Sequence, residues 1–361
     1  MDHDQLLRSG VESLSGHRVQ AWERLKSSPR NVVVRATLDT GDSIIVKAPT
    51  PTGLGGVRER AALQVLDALG VPGVPRLVAA GNNPRLLLLE DLGHGPSVAD
   101  HMLGDDPARA AESVRRWAES VARVQGHSLT SGERFGAALS DVEPGAPLDT
   151  SARHPMDAAK TLAELLPPLG VDPVTAALDE FVSTAQLDEG PHALTPGDAC
   201  PDNNVERDGR LALIDFEQAE YRHVAWEAAY LAVPWPTCWC SWQLPAEVTD
   251  AALAAWRETL TPFLPPDSVA GLAEAVRRAT VAWALLTTAW QLPQAMTDDA
   301  PAPPKLRGLR PDRRAVIQHR LSVAVARTPP SSDLHRLAAE TLHAVRDRWG
   351  ACELALAPAW R

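Results

Sequence analysis

The chain has 361 residues, and 46 Asp and Glu against 35 Lys and Arg give it a formal net charge of −11. Its hydrophobic share of 45% and charged share of 22% are those of an ordinary globular protein, with a length of about two average domains. The acidity argues against a nucleic-acid binder, which needs a surplus of cations to meet the phosphate backbone, and favours a cationic small-molecule partner.

The first ninety residues predict a small antiparallel sheet with one helix. Residues 31–38 and 43–47 are rich in β-branched side chains, and the Asp-Thr-Gly-Asp between them predicts a hairpin turn. Apolar residues recur within 57–69 at the period of an amphipathic helix, which a following glycine and proline end. Four consecutive leucines at 86–89 predict a strand buried on both faces, and 90–93 reads as a connector.

The remainder predicts a mainly helical region with one interruption. Asp-Pro pairs and 3.6-residue periodicity predict helices at 107–126, 173–186, 246–260, 267–292, 312–326 and 332–348. Residues 128–155 are rich in Gly, Pro, Ser and Asp and are predicted to form a loop. Residues 193–217 interrupt the helices with a loop, a hairpin and a strand at 211–216.

Secretion and membrane insertion are not expected. The charged N-terminus lacks the apolar run of a secretory signal, and the most apolar stretch, 279–290, is too short to span a bilayer. The four cysteines form neither a disulfide framework nor a C-x-x-C pair. We therefore predict a cytoplasmic protein with reduced thiols, and interpret Cys238 and Cys240 as buried thiols rather than zinc ligands.

The densest group of reactive side chains lies in the interruption. Asp198 follows a glycine in a loop, Asn203 comes a few residues later, and Asp215 ends the apolar strand. Because a hairpin folds that strand back beside the loop, two carboxylates and an amide oxygen meet, which are the hard oxygen ligands that Mg²⁺ prefers. A third carboxylate, Glu217, is close by. Since Mg²⁺ completes its shell with water and phosphate oxygens, the cluster suits nucleotide phosphates better than a structural ion.

The segments Thr195-Pro-Gly-Asp-Ala-Cys-Pro-Asp-Asn203 and Leu213-Ile-Asp-Phe-Glu217 resemble a known pair of motifs. They are similar to the H-G-D-x-x-x-x-N and I-D-F/W-x-D/E signature of the aminoglycoside phosphotransferase and choline-kinase-like family, relatives of protein kinases. Upstream, Lys47 on a predicted strand, Glu59 early in the next helix and a hinge follow in the family's order.

The resemblance implies an α+β, bilobal protein-kinase-like fold. A nucleotide-binding lobe of residues 1–93, with a small antiparallel sheet, one helix and a hinge at 90–93, would precede a larger, mainly helical lobe of residues 94–361. The second lobe would carry the catalytic loop, 195–217, and the acceptor-binding region.

The resemblance also implies a role for each matching residue. Asp198 would accept or orient the proton of the attacking hydroxyl, and Asn203 and Asp215 would hold Mg²⁺ on the β- and γ-phosphates of ATP or GTP. Lys47 would neutralise the α- and β-phosphates, held by an ion pair with Glu59.

The base would lie against the connector. Backbone groups of Glu90, Asp91 and Leu92 would bond its edge, and Ile214 would lie near it. The segment Ser27–Asn31 would cover the phosphates with hydroxyls and an arginine in place of a glycine-rich loop.

The acceptor side rests on a proline-broken aromatic segment that follows the Asp215 strand. Trp235, Trp239 and Trp242 are candidate acceptor contacts by stacking or cation–π interaction, and core packing is the alternative for each ring. Glu217 is a further candidate. The resemblance places this neighbourhood on the substrate side of the cleft.

We expect a bacterial O-phosphotransferase, a monomer or homodimer, that uses Mg²⁺ and ATP or GTP to phosphorylate a hydroxyl of a small molecule. The leading acceptor is an antibiotic of the aminoglycoside, peptide or nucleoside type, in resistance or self-protection. A metabolic sugar, choline or amino alcohol is the alternative. Pro196 stands where the motif has a loop-fixing His, so a nucleotide-binding pseudokinase is the rival from another class.

Overall fold

A five-stranded antiparallel sheet and two helices form the N-terminal part of the structure, with the strands in the order β1-β2-β3-β5-β4. The structure is a computed structural model that describes residues 3–27, 31–49, 55–150, 153–297 and 309–361. The strands are β1 (Val19–Ser27), β2 (Asn31–Leu38), β3 (Ser43–Pro49), β4 (Leu77–Asn82) and β5 (Arg85–Glu90). The helices are α1 (His3–Ser15) and α2 (Gly55–Ala68). Most of the predicted phosphate-covering segment, residues 28–30, lies outside the described residues.

The hairpin predicted from the β-branched runs is confirmed. Strands β2 and β3 pair antiparallel with Val33 opposite Lys47, and Leu87 of β5 lies opposite Lys47 on its other side. Lys47 therefore lies on a central strand. Since side chains alternate between the faces of a sheet, Lys47 shares a face with Ile45, while Val46 faces the opposite side.

Helix α1 corrects the expectation of a single helix beside the sheet. Leu7 and Val11 are buried in one cluster with Val46, Leu86 and Leu88. The neighbouring Leu87 and Leu89 belong to the other core, which lies toward α2. The leucine strand is thus buried on both faces, as predicted, and α1 supplies one of the covers.

The rest of the chain is mainly helical, as predicted. Its helices are α3 (Val98–Met102), α4 (Pro107–His127), α5 (Gly132–Val142), α6 (His154–Leu165), α7 (Thr175–Ala185), α8 (Ala225–Ala232), α9 (Ala246–Leu260), α10 (Pro266–Met296), α11 (Arg313–Arg327) and α12 (Asp333–Trp349). No helix in the described ranges is both long and apolar enough to cross a bilayer.

Helix α5 lies inside the stretch that was predicted to be a loop. Phe135 and Leu139, one turn apart, are fully buried in the large core. This single apolar stripe holds the helix in spite of its Gly and Ser content, because tertiary packing overrides weak local propensity.

Two short hairpins interrupt the helices and position the site. Their strands are β6 (His192–Thr195) with β9 (Glu220–His223), and β7 (Asn204–Arg207) with β8 (Arg210–Leu213). Asp208 and Gly209 both have positive φ in the turn between β7 and β8, which suits a tight hairpin. The Ile214 amide donates to the Asn203 carbonyl at 3.0 Å. The end of β8 therefore lies beside the loop that carries Asp198 and Asn203.

Candidate active site

A buried ion-pair cluster joins the sheet, helix α2 and the end of β8. Lys47 Nζ donates to Glu59 Oε1 at 2.6 Å and to Asp215 Oδ1 at 2.9 Å. Glu59 is only 3% exposed, and its Oε1 also accepts from the Phe216 amide at 3.3 Å. Although burial lowers the pKa of Lys47, the two carboxylates raise it above its usual range, so the lysine is charged. The sequence-predicted Lys47, Glu59 and Asp215 are thus in direct contact.

Asp215 holds an unusual backbone conformation. Its φ of +67° is left-handed, which for a residue other than glycine costs about 1–3 kcal/mol and persists only where the surroundings enforce it. The Lys47 ion pair holds its carboxylate, and the hydrogen bond from Phe216 to Glu59 holds the residue that follows. The cluster therefore fixes the direction in which Asp215 leaves β8.

Asp198 lies on the loop between β6 and β7, and a hydroxyl relay holds it. Thr237 Oγ1 donates to Asp198 Oδ1 at 2.5 Å, and Tyr230 Oη lies 3.1 Å from Thr237 Oγ1. Burial, together with the nearby Asp215 carboxylate, raises the pKa of Asp198 to about 6, against the effect of the Thr237 hydrogen bond. Neither Thr237 nor Tyr230 was identified from the sequence, since no motif marks them.

The backbone of this loop is fixed without a histidine at position 196. The Gly197 carbonyl accepts from Arg222 Nη2 and from Tyr230 Oη, each at 3.3 Å. Asn203 Nδ2 donates to the Asp198 carbonyl at 2.9 Å. Pro196 is itself buried. Contacts from Arg222, Tyr230 and Asn203 therefore hold the loop, with Pro196 at the position of the motif's His.

Gly197→Ala is expected to destabilise the protein and abolish the loop geometry. Gly197 has φ +74°, and an added Cβ would lie 1.7 Å from the Gln218 carbonyl oxygen. The left-handed conformation costs an L-residue about 1–2 kcal/mol, and the backbone clash adds to this. Thermal denaturation followed by circular dichroism measures the loss. Gly170→Ala is the matched control, because its φ is +79° with nothing within 4 Å. Equal melting temperatures for the two variants would contradict the conclusion that the close approach of Gly197 to the Gln218 carbonyl constrains this loop.

A cavity of about 160 Å³ opens beside the ion-pair cluster. Its apolar walls come from both parts of the chain, with Val33 and Leu89 from the sheet and Val205 from β7. The sequence-predicted residues that line it are Lys47, Glu90, Asp91, Leu92, Ile214 and Asp215. It has the walls and the charged end that a nucleotide base followed by phosphates requires.

A model of the phosphotransferase enzyme family matches residues 22–272. The chain belongs to this family. The resemblance found in the sequence is thereby confirmed. No curated protein matches the sequence.

Solved structures share the fold at low identity. Amicoumacin kinase hAmiN, in complex with AMP-PNP, Ca²⁺ and Ami, is 13% identical with a TM-score of 0.57 over 93% of this chain and 97% of that chain. The macrolide 2′-phosphotransferase of Brachybacterium faecium is 19% identical, with a TM-score of 0.51 over 91% and 98%. The ethanolamine kinase of Plasmodium vivax is 12% identical, with a TM-score of 0.52 over 91% and 85%. The protein-kinase-like fold predicted for this phosphotransferase is confirmed.

The connector of this phosphotransferase is bound into the sheet more tightly than predicted. The Glu90 amide donates to the Arg76 carbonyl at 3.0 Å, so this donor is not free for a base. Although burial raises the pKa of Asp91, hydrogen bonds from Arg35, Ser43 and the Gly93 amide lower it to about 2. The Asp91 carboxylate therefore fixes the connector. Contacts with the edge of the base stay a prediction for the backbone groups of residues 90–92 other than the Glu90 amide.

The expectation of an acceptor contact is wrong for two of the three tryptophans. Trp235 is fully buried, with its ring edge-on to Trp117 at 5.0 Å between centroids. Trp242 is 7% exposed, its Nε1 donates to the Leu309 carbonyl, and the Arg361 guanidinium covers its ring at 4.2 Å. Both rings are therefore part of the packed interior rather than contacts for an acceptor.

Trp239 contacts the loop that carries Asp198, and Glu217 contacts the first residue of β2. Trp239 is partly exposed, and its Nε1 donates to Asp202 Oδ2 of the loop at 2.8 Å. Glu217 Oε2 accepts from Asn31 Nδ2 at 3.1 Å, at the start of β2. Their part in acceptor binding stays a prediction.

Trp235→Ala is expected to destabilise the phosphotransferase by about 3–5 kcal/mol, because it empties a core position against Trp117. Trp239→Ala serves as the comparison, since its ring is partly exposed and the loss of stability should be much smaller. Urea denaturation measures both. A Trp235→Ala protein as stable as Trp239→Ala would show that Trp235 does not belong to the core.

The prediction of four reduced thiols is wrong for one pair. Cys200 and Cys238 form a disulfide, whereas Cys240 and Cys352 are free. The disulfide joins the loop that carries Asp198 to the segment that carries Thr237. Cys200 Sγ lies 3.1 Å from Asp198 Oδ1, so the bond is beside this carboxyl group.

Proposed function

We propose that this protein transfers the γ-phosphoryl group of ATP or GTP to a hydroxyl group of a small molecule. The observation that carries the proposal is the contact of Lys47 with both Glu59 and Asp215 at the charged end of a base-sized cavity. In the same site, the Thr237 hydroxyl holds the Asp198 carboxyl group in place. We place the lobe boundary near residue 93, with 90–93 as hinge.

The nucleotide would enter the cavity with its base between apolar walls. Val33 and Ile45 would cover one face of the base and Ile214 the other, with backbone groups of Asp91 and Leu92 at its edge. Lys47 would then meet the α- and β-phosphates with a compact ammonium that Glu59 keeps in place.

The donor set beside the phosphates fits a magnesium ion. Asn203 uses its amide nitrogen on the Asp198 carbonyl, which leaves its side-chain oxygen for a cation, and Asp215 offers a carboxylate. Both are hard oxygen ligands of the kind Mg²⁺ takes along with phosphate oxygens and water. Mg²⁺ bound there would neutralise charge on the β- and γ-phosphates.

Asp198 would act on the acceptor. Its carboxylate would receive or orient the proton of the attacking hydroxyl, while the Thr237 hydrogen bond keeps one of its oxygens fixed. Since the transition state of phosphoryl transfer is loose, the protein contributes mainly position and charge.

The acceptor would lie on the acidic side of the loop. The carboxylates of Asp202, Asp215 and Glu217 all raise the pKa of Asp198, which shows that negative charge is concentrated around it. This suits an acceptor that carries positive charge. Trp239, bonded to Asp202, offers a partly exposed ring for stacking. We propose an antibiotic as acceptor, in resistance or self-protection in the bacterial cytoplasm; a sugar, choline or amino alcohol is the metabolic alternative.

A pseudokinase is less well supported. This alternative was suggested by Pro196, which stands at the position of the motif's His. Arg222 and Tyr230, however, donate to the neighbouring Gly197 carbonyl and hold the loop. This gives the catalytic carboxylate a fixed position without the motif's His.

The proposal is tested by incubating wild type and Asp198→Ala with Mg²⁺, ATP or GTP, and a panel of hydroxylated antibiotics and metabolites, with products analysed by mass spectrometry. A phosphate ester formed only by wild type supports the proposal. Nucleotide binding without transfer to any acceptor would favour the pseudokinase, and lack of nucleotide binding would exclude both.

A further inference from the structure

Helix α2 carries a second buried charge next to Glu59. Arg58 is 2% exposed. Its guanidinium donates to three main-chain carbonyls at 2.6 Å each: Nε to Ala219, Nη1 to Pro147 and Nη2 to Leu148. Taking a guanidinium out of water is costly, so a buried one that spends its donors on main-chain carbonyls of two segments fixes those segments.

One of the segments is the turn that follows Asp215. Residues 216–218 form a single 3-10 turn, and Ala219 comes directly after it. Glu59 accepts from the Phe216 amide at one end, and Arg58 donates to the Ala219 carbonyl at the other. Two consecutive residues of α2 thus hold both ends of the turn, which keeps the left-handed backbone of Asp215 in place.

The other segment connects α5 to α6. Arg58 holds its Pro147 and Leu148 carbonyls, and Glu220 Oε1 accepts from the Thr150 amide and hydroxyl at 2.9 and 2.5 Å. Glu220 also pairs with Arg222, the residue that bonds the Gly197 carbonyl. A continuous set of contacts therefore runs from α2 to the catalytic loop.

The geometry points to Arg58 as a positioning residue that locks α2 onto the turn after Asp215, so that Glu59 engages Lys47 and Asp215 faces the nucleotide. Arg58 is not among the described residues that line the cavity, and its hydrogen bonds go to the carbonyls of Ala219, Pro147 and Leu148. Contacts within the chain thereby tie helix α2 to the turn after Asp215. This inference rests on the proposed function.

The test compares Arg58→Met with Arg60→Met. Arg60 lies on the same helix, and its Nη1 donates to Asn82 Oδ1 on the edge strand β4, two strands away from the strand that carries Lys47. Arg58→Lys is the second variant, since it keeps a cation but presents one ammonium to three carbonyls. All proteins are assayed at a temperature where circular dichroism shows them folded.

The readouts are the dissociation constant of Mg²⁺-ATP by calorimetry and the transfer rate. We expect Arg58→Met to weaken nucleotide binding by about tenfold or more, Arg58→Lys to lie between it and wild type, and Arg60→Met to stay within about twofold. In a Glu59→Gln background the Arg58→Met effect should shrink to about twofold or less, because the pair that Arg58 positions is already lost. A purely structural arginine would lower the melting temperature without this dependence on Glu59.

Equal affinity and rate for folded Arg58 variants and wild type would overturn the inference, and so would an equal Arg58→Met effect with and without Glu59→Gln. Failure of the proposed function has a different signature. In that case wild type itself would transfer no phosphate from ATP or GTP to any acceptor of the panel, whether or not it binds the nucleotide.

Discussion

Asp198→Asn is expected to lower phosphoryl transfer by about 10²–10⁴-fold while nucleotide affinity changes by less than about threefold. The amide keeps the size of the carboxylate and can still accept the Thr237 hydrogen bond, so the loop should stay in place. An amide cannot take the proton of the acceptor hydroxyl. Steady-state transfer rates and calorimetric nucleotide binding on the same preparations separate the two effects.

Asp208→Asn is the matched control. Asp208 is exposed in the turn between β7 and β8 at φ +51°, a conformation that Asn tolerates as well as Asp. It should transfer phosphate at the wild-type rate. Turnover by Asp198→Asn at the rate of Asp208→Asn would remove Asp198 from the mechanism.

Lys47→Met is expected to reduce the transfer rate by about 10²–10³-fold and to weaken nucleotide binding, because the charge at the phosphate end of the cavity is lost. It also leaves Glu59 buried without a cation, which costs about 3–5 kcal/mol of stability. Transfer assays and urea denaturation measure the two losses.

The double variant Lys47→Met, Glu59→Gln separates stability from chemistry. Removing the unpaired carboxylate should restore much of the stability, whereas the transfer rate should stay low. Lys160→Met is the control for the loss of one positive charge at the surface. The Lys160 side chain is 77% exposed, and its ammonium lies 3.8 Å from the Asp157 carboxylate on the same helix. A double variant that regains transfer along with stability would show that Lys47 serves the fold only.

The sequence alone could predict those parts of the site whose residues lie close together along the chain. Asp198 and Asn203 share one loop, and the tight turn at 208–209 returns Asp215 to them, as the hydrogen bond from Ile214 to Asn203 shows. Lys47 and Glu59 follow from a strand and the helix after it. The contacts between these side chains were implied by the family resemblance.

The parts that the sequence left undetermined depend on which surfaces meet in the folded chain. Trp235 and Trp239 lie in the same proline-broken segment, but the first packs against Trp117 in the core and the second donates to Asp202 of the loop. The disulfide joins cysteines 38 residues apart, a pairing that spacing does not indicate.

Long-range polar contacts were hidden for the same reason. The Thr237 hydroxyl and the Arg58 guanidinium belong to common residue types without a local signature. Their partners, Asp198 and the carbonyls of 147, 148 and 219, come from distant segments. Helix α1, by contrast, carries a signal in its own sequence, since Leu7, Val11 and Leu14 recur at the spacing of one helix face and pack against the leucine strand.

The most direct measurement is ³¹P NMR of wild type, Asp198→Asn and Lys47→Met with Mg²⁺-ATP and an acceptor from the panel. We predict that wild type converts the γ-phosphate signal into a phosphate-ester signal, and that both variants leave it essentially unchanged over the same time. Ester formation by Asp198→Asn at the wild-type rate would contradict it.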